Sequence, residues 1–402
     1  MEGLKLKQKV CMLLCYLPFL DARIFECEAK SLLKHGYEVT IIAPRKNGYL
    51  FDIDGKPFTD RFRRKTFHYQ GIKIVTYDSE KRTENPLLDP LYQLGLKENA
   101  DFYQAHELNS FFYGKEIKVV LRKQKGKNAK LIYDSRQLIP DSFSLNINEE
   151  TKQKWRRMLL ENLKEVDYIL TVSDSIKSWY LSIDPLLSVE VIHNSPPLTP
   201  SFKAKGEHTD RFVTAHEGNL SKATTQKIVS ITDSISRVTD FQFKIIGGPR
   251  YGESISIPKH LQTKVNLSGW VPYHSLPATL SDVDIGLIDL DPSHSLNNAF
   301  SMPSKFFSFL NNGIPVVVNK CSDMDKFVNT HQCGIVINQL NPAPADYVKG
   351  IMHLYKNKQQ LKQMSINARK AMVDVYSWIH MENRYIKVYK SFLTNRTQYL
   401  LR

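Results

Sequence analysis

Short apolar runs alternate along the first half of the chain with segments whose apolar residues recur every three or four positions. The runs are typical of buried strands, and the periodic segments of helices packed on one face. Helices are predicted over 22–36, where Gly36 ends the helix, over 111–123 and around 151–166. Strands are predicted at KVCMLLCY (9–16), YEVTIIAP (37–44), AKLIYD (129–134), DYILTVS (167–173) and SVEVIH (188–193). Because these strands are apolar throughout, they predict a parallel sheet covered on both faces.

The alternation stops at NSPPLTPSFKAKGEHTD (194–210), which has three prolines and no periodicity. We interpret this segment as the connection between two domains. The pattern then resumes, with helices predicted at Ile228–Val238 and near 274–281. Strands are predicted at 211–218, 241–248, 265–270, 284–290, 316–318 and 333–338. The fold class predicted is therefore α/β, with two Rossmann-like, doubly wound parallel-sheet domains.

The domain boundaries follow from these patterns. The first domain is predicted at 1–195, the linker at 196–210 and the second domain at 211–379. The chain is predicted to be helical beyond residue 344, with the last helix, about 380–402, returning to the first domain. Doubly wound domains bind ligands at the carboxyl ends of their strands, so we expect the functional cleft between the two domains.

The stretch SMPSKFFSFLNNGIPVV (301–317) illustrates how local rules act in the second domain. Ser304 is predicted as the N-cap of a helix whose body starts at Lys305. Gly313 is predicted to end that helix in a left-handed conformation, and Ile314 to begin the next buried strand.

Composition adds limits to this picture. The chain has 402 residues, of which 42% are hydrophobic, enough for a large core. No apolar run reaches the roughly 20 residues that a spanning helix needs. The run VCMLLCYLPFL (10–20) imitates a signal sequence, but no small-residue cleavage site follows it, so we expect a cytoplasmic protein. Five cysteines without metal-site spacing indicate reduced, mostly structural thiols.

The net charge of +14 is concentrated near the C-terminus, where residues 346–402 hold 11 Lys and Arg against 3 Asp and Glu. This pattern indicates either a solvated helix face or attraction to an anionic membrane surface or lipid-linked acceptor. No nucleic-acid-binding motif accompanies the basic residues, so we expect no nucleic acid partner.

A set of segments occurs in a characteristic order and spacing along the chain: DARIFECEAKSLLKHGYEVTIIAP (21–44), ADFYQAHELNS (100–110), KLIYDSRQLIPD (130–141), YILTVSDSI (168–176), VEVIHNSPP (189–197), NLSGWVPYHSLPATLSDVDIGL (266–287), MPSKFFSFLNNGIPVVV (302–318) and YSWIHMENRYIKVY (376–389). Together these segments resemble the retaining glycosyltransferases of the GT-B fold, specifically glycosyltransferase family four. The resemblance covers nearly the whole chain, and it depends on the order and spacing of the segments rather than on any one of them.

The resemblance implies transfer of a sugar, with retention, from a nucleotide-sugar substrate on the second domain to an acceptor hydroxyl on the first. It implies no metal or other cofactor; the acidic triplets at 282–284 and 289–291 are interpreted as coincidental. The leaving diphosphate needs positive charge and backbone amides. Lys222 and Lys305 are the candidate cations, although each has the alternative of an exposed surface lysine. Gly218 would let the backbone approach the phosphates, and Asn219 stands near a position where the family has arginine.

Other candidate donor-binding residues come from two loops and the helix after them. The loop around Trp270 and Val271 is a candidate for base recognition, with a buried structural tryptophan as the alternative. His294 and Asn297 fall in the loop expected to face the sugar and the diphosphate, and Ser304 begins the next helix.

In the first domain, His106 follows a short predicted strand at a position where the family often carries a histidine near the sugar or acceptor; the alternative is a structural histidine. Asp134 matches the family's Tyr-Asp-Ser. Arg136 replaces a family histidine and is a candidate for binding an anionic acceptor group, with a surface or interdomain salt bridge as the alternative. Asp21 and Arg23 open the first helix, where Asp21 is equally suited to be an N-cap.

The family usually holds the donor ribose with two glutamates separated by seven residues. Phe300 and Ser308 occupy those positions here, so both carboxylates are absent. A serine hydroxyl makes one hydrogen bond but not a charged, two-oxygen contact. Three interpretations stay open: an active retaining glycosyltransferase of cell-surface polysaccharide or glycoconjugate synthesis, a GT-B scaffold without turnover that serves as a binding subunit, and a nucleotide-sugar epimerase-like enzyme.

Overall fold

The computed structural model describes residues 7–83, 85, 87–139, 147–206, 211–249, 255–293 and 295–399, with backbone only from residue 394. The chain forms two compact units. The first comprises Met1–Ile192 together with Glu382–Arg402, and the second comprises His193–Met381. The described residues 193–206, which include part of the predicted linker, belong to the second unit, and Thr199 and Lys205 are buried there.

The first unit contains an eight-stranded sheet whose order is β3-β4-β2-β1-β5-β6-β7-β8. Only the β3–β4 pair is antiparallel among the described strand pairs. The strands are β1 (Lys9–Leu13), β2 (Glu38–Arg45), β3 (Thr66–Tyr69), β4 (Ile72–Asp78), β5 (Phe102–Ala105), β6 (Lys130–Ser135), β7 (Tyr168–Thr171) and β8 (Val189–Val191).

The helices of the first unit include a π-helical segment, Ala22–Ala29, that continues directly into α1. Asp21 caps this segment by accepting hydrogen bonds from the amides of Arg23 and Ile24. The α-helices are α1 (Lys30–Lys34), α2 (Pro90–Glu98), α3 (Leu108–Lys125), α4 (Glu149–Leu163) and α5 (Asp174–Ile183).

The second unit contains a six-stranded sheet whose order is β11-β10-β9-β12-β13-β14, with parallel pairing throughout. Its strands are β9 (Phe212–Asn219), β10 (Phe241–Gly248), β11 (Val265–Gly269), β12 (Ile285–Ile288), β13 (Val316–Asn319) and β14 (Gly334–Ile337). Its helices are α6 (Lys222–Ser236), α7 (Leu276–Thr279), α8 (Leu296–Ala299), α9 (Ser304–Asn311), α10 (Ser322–His331), α11 (Pro344–Lys356) and α12 (Lys358–Ala371), followed by a π-helical turn, Met372–Tyr376.

The last helix, α13 (Trp378–Tyr399), begins in the second unit and continues in the first. Within the first unit, the hydroxyls of Tyr385 and Tyr389 both donate hydrogen bonds to Oε1 of Gln104 in β5. All three side chains are fully buried. Residues from the end of the chain therefore contribute to the core beside β5.

The predicted α/β class with two parallel-sheet, Rossmann-like domains is confirmed, whereas the finer domain boundaries stay a prediction. Helix α9 also confirms Gly313 as its left-handed end, with φ of +62°. The prediction for Ser304 is wrong in one respect. Ser304 is the first helical residue, and Pro303, in an extended conformation, holds the N-cap position without a side-chain hydrogen bond.

No helix among the described residues combines the length and the apolar composition needed to cross a membrane. The five cysteines, Cys11, Cys15, Cys27, Cys321 and Cys333, are all buried and free.

Candidate functional site

The ends of β9 and β10 in the second sheet approach each other closely at a pair of glycines. Gly218 in β9 and Gly247 in β10 are paired in register and have φ of +95° and +113°. A Cβ on Gly247 would lie 2.3 Å from the carbonyl oxygen of Gly218, closer than any real Cβ contact. Glycine is therefore required at position 247 for this approach. The glycine at position 218 has no side chain to cover the backbone at the end of β9.

Lys305 brings a positive charge to this strand end. It is half-buried in the first turn of α9, and a Cβ on Gly218 would lie 3.9 Å from its Nζ. Burial lowers the pKa of Lys305 to about 8, although the carboxylates of Glu217 and Asp289 act in the opposite direction. An ammonium group beside the first turn of a helix is a suitable partner for a phosphate, since the free amides of that turn also carry positive partial charge.

Glu217 lies directly before Gly218 and faces the same region. Burial raises the pKa of Glu217 above its usual value, although the nearby Ser308 and the charge of Lys305 act in the opposite direction. Its Oε2 is buried and has no hydrogen-bond partner among the described residues. Our sequence analysis did not select Glu217; the only signal was an acidic residue at the end of a buried strand, next to a glycine.

His216 and Asn219 shape the end of β9. The buried His216 donates a hydrogen bond from Nε2 to the carbonyl oxygen of Asn219, at 3.1 Å. Burial, followed by the charge of Lys305, lowers the pKa of His216 to about 3, so the ring is neutral. The side chain of Asn219, the candidate at the family's arginine position, is exposed.

The remaining donor-side candidates fall in different settings. Trp270 lies beside the end of β10, since a Cβ on Gly248 would be 3.6 Å from its Nε1. Val271 packs against the core of the second unit instead. Lys222 is exposed as the first residue of α6, whose N-cap is Ser221.

Helices α8 and α9 hold the other candidates. Asn297 is buried in α8, and Phe300 immediately follows that helix. Ser308 is buried in α9, whereas Ser304 is exposed. His294 lies outside the described residues.

Carboxylates of the acidic triplets make contacts within the protein. Asp282 forms an ion pair with Lys244 at 2.7 Å, and Asp284 accepts a hydrogen bond from the backbone amide of Val213 at 2.9 Å. Asp289 is engaged by Lys227 at 2.8 Å and by the hydroxyl of Tyr347 at 2.5 Å. These contacts give the triplets a structural role.

A second cluster of charged groups lies in the first unit, at the ends of β5 and β6. Nε of Arg23 lies 3.0 Å from Oδ2 of Asp134, and its NH2 lies 2.8 Å from Oδ1, a two-oxygen contact. Nε of Arg23 also lies 2.9 Å from Glu28, and NH1 donates to the carbonyl oxygen of Ile192. His106 contacts Asp134 through Nδ1 at 3.1 Å. This cluster brings together His106, Asp134 and Arg23, three of our sequence candidates.

The two carboxyl groups of this cluster differ in protonation. Burial raises the pKa of Asp134, but Arg23 and His106 outweigh it and hold that pKa below its usual range. Burial and the charge of Asp134 raise the pKa of Glu28 well above its usual range, more than Arg23 lowers it. The negative charge of this pair therefore resides mainly on Asp134, and Glu28 binds a proton more readily than an exposed glutamate does.

His106 has one nitrogen committed and one open. Because an ionised Asp134 can only accept, Nδ1 of His106 carries the hydrogen of that contact. In the neutral ring Nε2 is then an acceptor, and it is buried with no hydrogen-bond partner among the residues that the structure describes.

Asp21 and Arg136 border this cluster. Oδ1 of Asp21 accepts from NH1 of the half-buried Arg136 at 2.9 Å, in addition to its capping bonds. Arg136 thus forms a half-buried salt bridge within the first unit, rather than a surface or interdomain one. Glu28 was missed by our sequence analysis, because a glutamate within an amphipathic helix carries no signal that it faces inward.

Three residues of this cluster have ligand atoms within 4.8 Å of one another and form a candidate metal-ligand set in the described part of the chain: Glu28, His106 and Asp134. The guanidinium of Arg23, however, contacts both carboxyl groups. A positive charge is thus already present where a cation would bind.

Comparisons with known proteins agree with this architecture. Residues 233–373 match the sequence model of a family described as glucosyltransferase 3-like, C-terminal domain. No curated protein sequence matches the chain significantly.

Solved structures match over nearly the whole chain. Anabaena HepE, in complex with UDP and glucose, matches with a TM-score of 0.70 at 13% identity, over 96% of this chain and 100% of HepE. Sucrose-phosphate synthase from Thermosynechococcus elongatus gives a TM-score of 0.66 at 11% identity, over 97% and 100% of the two chains. The lipopolysaccharide outer core galactosyltransferase WaaB, in its apo form, gives 0.58 at 15% identity, over 96% and 99%. The chain thus has the GT-B fold of glycosyltransferases.

Proposed function

We propose that the protein is a retaining glycosyltransferase of family four that uses a UDP-sugar as donor and a sugar or glycoconjugate hydroxyl as acceptor. The observation that carries this proposal is the position of Lys305 beside the uncovered backbone of Gly218, within a glycosyltransferase fold. Two similar structures of HepE contain UDP or UDP-glucose, which supports uridine as the base.

The second unit supplies what a leaving diphosphate needs. Lys305 provides the charge, Gly218 allows close approach of the backbone, and the N-terminus of α6 follows β9 directly. Trp270, at the end of the neighbouring strand, is proposed to contact the base. Lys222 keeps its proposed role as a more exposed cation at the start of α6.

The first unit supplies a group for a hydroxyl. Nε2 of His106 is proposed to accept a hydrogen bond from a hydroxyl of the transferred sugar or of the acceptor. Asp134 fixes the ring orientation through Nδ1. Arg136 forms an ion pair with Asp21. We propose that it binds an anionic group of the acceptor only after it releases Asp21.

The reaction is the exchange of one bond at the anomeric carbon. A bond forms from the acceptor oxygen to that carbon, and the bond from the carbon to the diphosphate oxygen breaks. The bonding electron pair stays on the diphosphate, where Lys305 stabilises the added charge, and the hydroxyl proton passes to the released diphosphate. We propose that these steps need no metal or other cofactor.

The cellular setting is also a proposal. We propose that the enzyme acts in cell-surface polysaccharide or glycoconjugate synthesis at the cytoplasmic face of a membrane. The excess of Lys and Arg in residues 346–402 supports contact with anionic lipid.

The test is release of UDP from a panel of UDP-sugars, with and without simple sugar acceptors. We expect turnover with at least one donor, and a rate loss on the order of 10²-fold in Lys305→Ala. Lys349→Ala, in the exposed face of α11, is the control and is expected to keep the full rate. Binding of UDP-sugars without turnover would instead indicate a scaffold, and interconversion of two UDP-sugars without acceptor would indicate an epimerase.

A further inference from the structure

Glu217 is the one carboxylate at the end of β9, and the proposed reaction does not use it. Its Oε2 is removed from solvent and has no hydrogen-bond partner among the described residues. A buried acceptor without a donor is costly, and such groups are few in native proteins.

The surroundings of Glu217 limit which ligand group would meet this oxygen. A phosphate oxygen would be repelled by the carboxylate, and the same phosphate is attracted to Lys305. An apolar group would leave Oε2 without a donor. A hydroxyl is neutral and donates, so it satisfies the free acceptor without adding charge.

Lys305 and Glu217 are close enough for each to shift the pKa of the other. A ligand that uses both must therefore carry an anionic group next to hydroxyl groups. A nucleoside diphosphate sugar has this pattern on both sides of its diphosphate: the ribose hydroxyls on one side and the hydroxyls of the transferred sugar on the other.

We propose that Glu217 is a specificity-determining residue that accepts a hydrogen bond from a donor hydroxyl, of the ribose or of the transferred sugar. This inference rests on the proposed function. It assigns to β9 a carboxylate in place of the glutamate that the resemblance implies at position 308 of α9, where this chain has a buried serine.

The experiment compares dissociation constants by calorimetry for UDP, 2′-deoxy-UDP, 3′-deoxy-UDP and UDP-glucose. If Glu217 contacts the ribose, the wild-type protein binds UDP about tenfold or more tightly than one deoxy analogue. If it contacts the transferred sugar, UDP-glucose binds more tightly than UDP by a similar factor, and the deoxy analogues bind as UDP does.

In both cases we expect Glu217→Gln and Glu217→Ala to remove this preference, so that the dissociation constants of the two compared ligands differ by less than about twofold. Lys305→Ala is expected to weaken the binding of all four ligands, since each carries the diphosphate, while the ratio between their dissociation constants stays the same. Asp374→Asn, which removes an exposed carboxylate of the same unit, is the control and should change neither.

The outcomes separate the two proposals. Binding of UDP or UDP-glucose with ratios that survive in both Glu217 variants would overturn the role of Glu217 and leave the proposed function standing. Failure of the wild-type protein to bind any of the four ligands would overturn both. Glu217→Gln and Glu217→Ala proteins that have lost their fold, as judged by circular dichroism, would show a structural role instead.

Discussion

The two units each contain a cluster of charged groups, and the clusters differ in how far their charges are paired within the protein. In the first unit, the guanidinium of Arg23 meets an ionised Asp134 through two contacts. It also contacts Glu28, whose pKa is raised by burial and by the charge of Asp134. In the second unit, Lys305 and Glu217 influence each other, but Glu217 keeps a buried oxygen without a partner in the described structure.

The difference indicates two purposes. A cluster whose charges are balanced internally holds elements together, and removal of one partner leaves a buried charge uncompensated. A cluster with groups left unsatisfied is arranged for a ligand that completes it. Two atoms of the first cluster also lack a hydrogen-bond partner among the described residues: Nε2 of His106 and Oε1 of Glu28. Oε1 of Glu28 nevertheless lies 2.9 Å from Nε of Arg23, so its charge environment is satisfied within the cluster. We therefore expect substitutions in the first cluster mainly to lower the free energy of unfolding, and substitutions in the second mainly to weaken ligand binding.

The largest effect is expected from Asp134→Asn, which removes the anion facing Arg23 and His106. We expect the free energy of unfolding to fall by about 3 kcal/mol, since a buried charge loses its partner. Urea unfolding measures this change, and Asp374→Asn on the surface should stay within about 0.5 kcal/mol of the wild-type value. A loss below about 1 kcal/mol for Asp134→Asn would contradict the internal balance that we describe.

The next effect concerns His106→Ala. We expect the rate of sugar transfer to fall on the order of 10²-fold, because the open Nε2 no longer meets a substrate hydroxyl. The affinity for UDP should change by less than about twofold, unlike that of Lys305→Ala, which should lose both rate and affinity. Rate assays with calorimetry on both variants check this contrast, and an unchanged rate for His106→Ala would leave the histidine with a structural role.

The pH dependence of UDP binding gives a smaller effect. The pKa of Lys305 is lowered to about 8 by burial. The ammonium is therefore mostly present at pH 7 and mostly lost at pH 9, and we expect UDP to bind about tenfold more weakly at pH 9. Calorimetry at both values measures this ratio. Lys305→Arg should bind UDP with little pH dependence over the same range, because arginine stays protonated.

The smallest effect is expected from Glu28→Gln, and its sign is informative. The raised pKa of Glu28 means that its contribution to stability is complete below the unfolded pKa and is lost as the pH rises toward the folded value. Glutamine has nearly the shape of the protonated glutamate and stays uncharged at every pH. The variant should thus equal or exceed the wild-type stability by up to about 1 kcal/mol at pH 8, with a smaller difference at pH 5. Urea unfolding at both pH values tests this, and a clear destabilisation at pH 8 would mean that Glu28 acts as an anion.

Most of the sheet framework was predictable because its strands are apolar on both faces and lie between amphipathic helices. The antiparallel pair β3 and β4 was missed. Strand β3 is an edge strand with exposed and half-buried residues in alternation, so it lacks a continuous apolar run. The turn at Gln70 and Gly71, with φ of +50° and +82°, was its only strong signal.

The candidate site was predictable where residues follow strands. His106 and Asp134 follow or end neighbouring parallel strands, and this placement brings them within hydrogen-bonding distance. Glu28 and Ser308 lie within helices, where the sequence alone does not say what a polar side chain on the inner face will meet. Glu217 could not be chosen because its open oxygen is a property of the packed structure.

The link between Gln104 and α13 has a consequence for the order in which the protein folds during synthesis. Tyr385 and Tyr389 lie 281 and 285 residues after Gln104 in the sequence. Gln104 in turn donates to Glu28, next to Arg23 and Asp134. The second unit is continuous and ends at Met381, in the first turn of the last helix, whereas the first unit also needs Glu382–Arg402, which are synthesised afterwards. We therefore expect the first unit, although begun first, to close its core last.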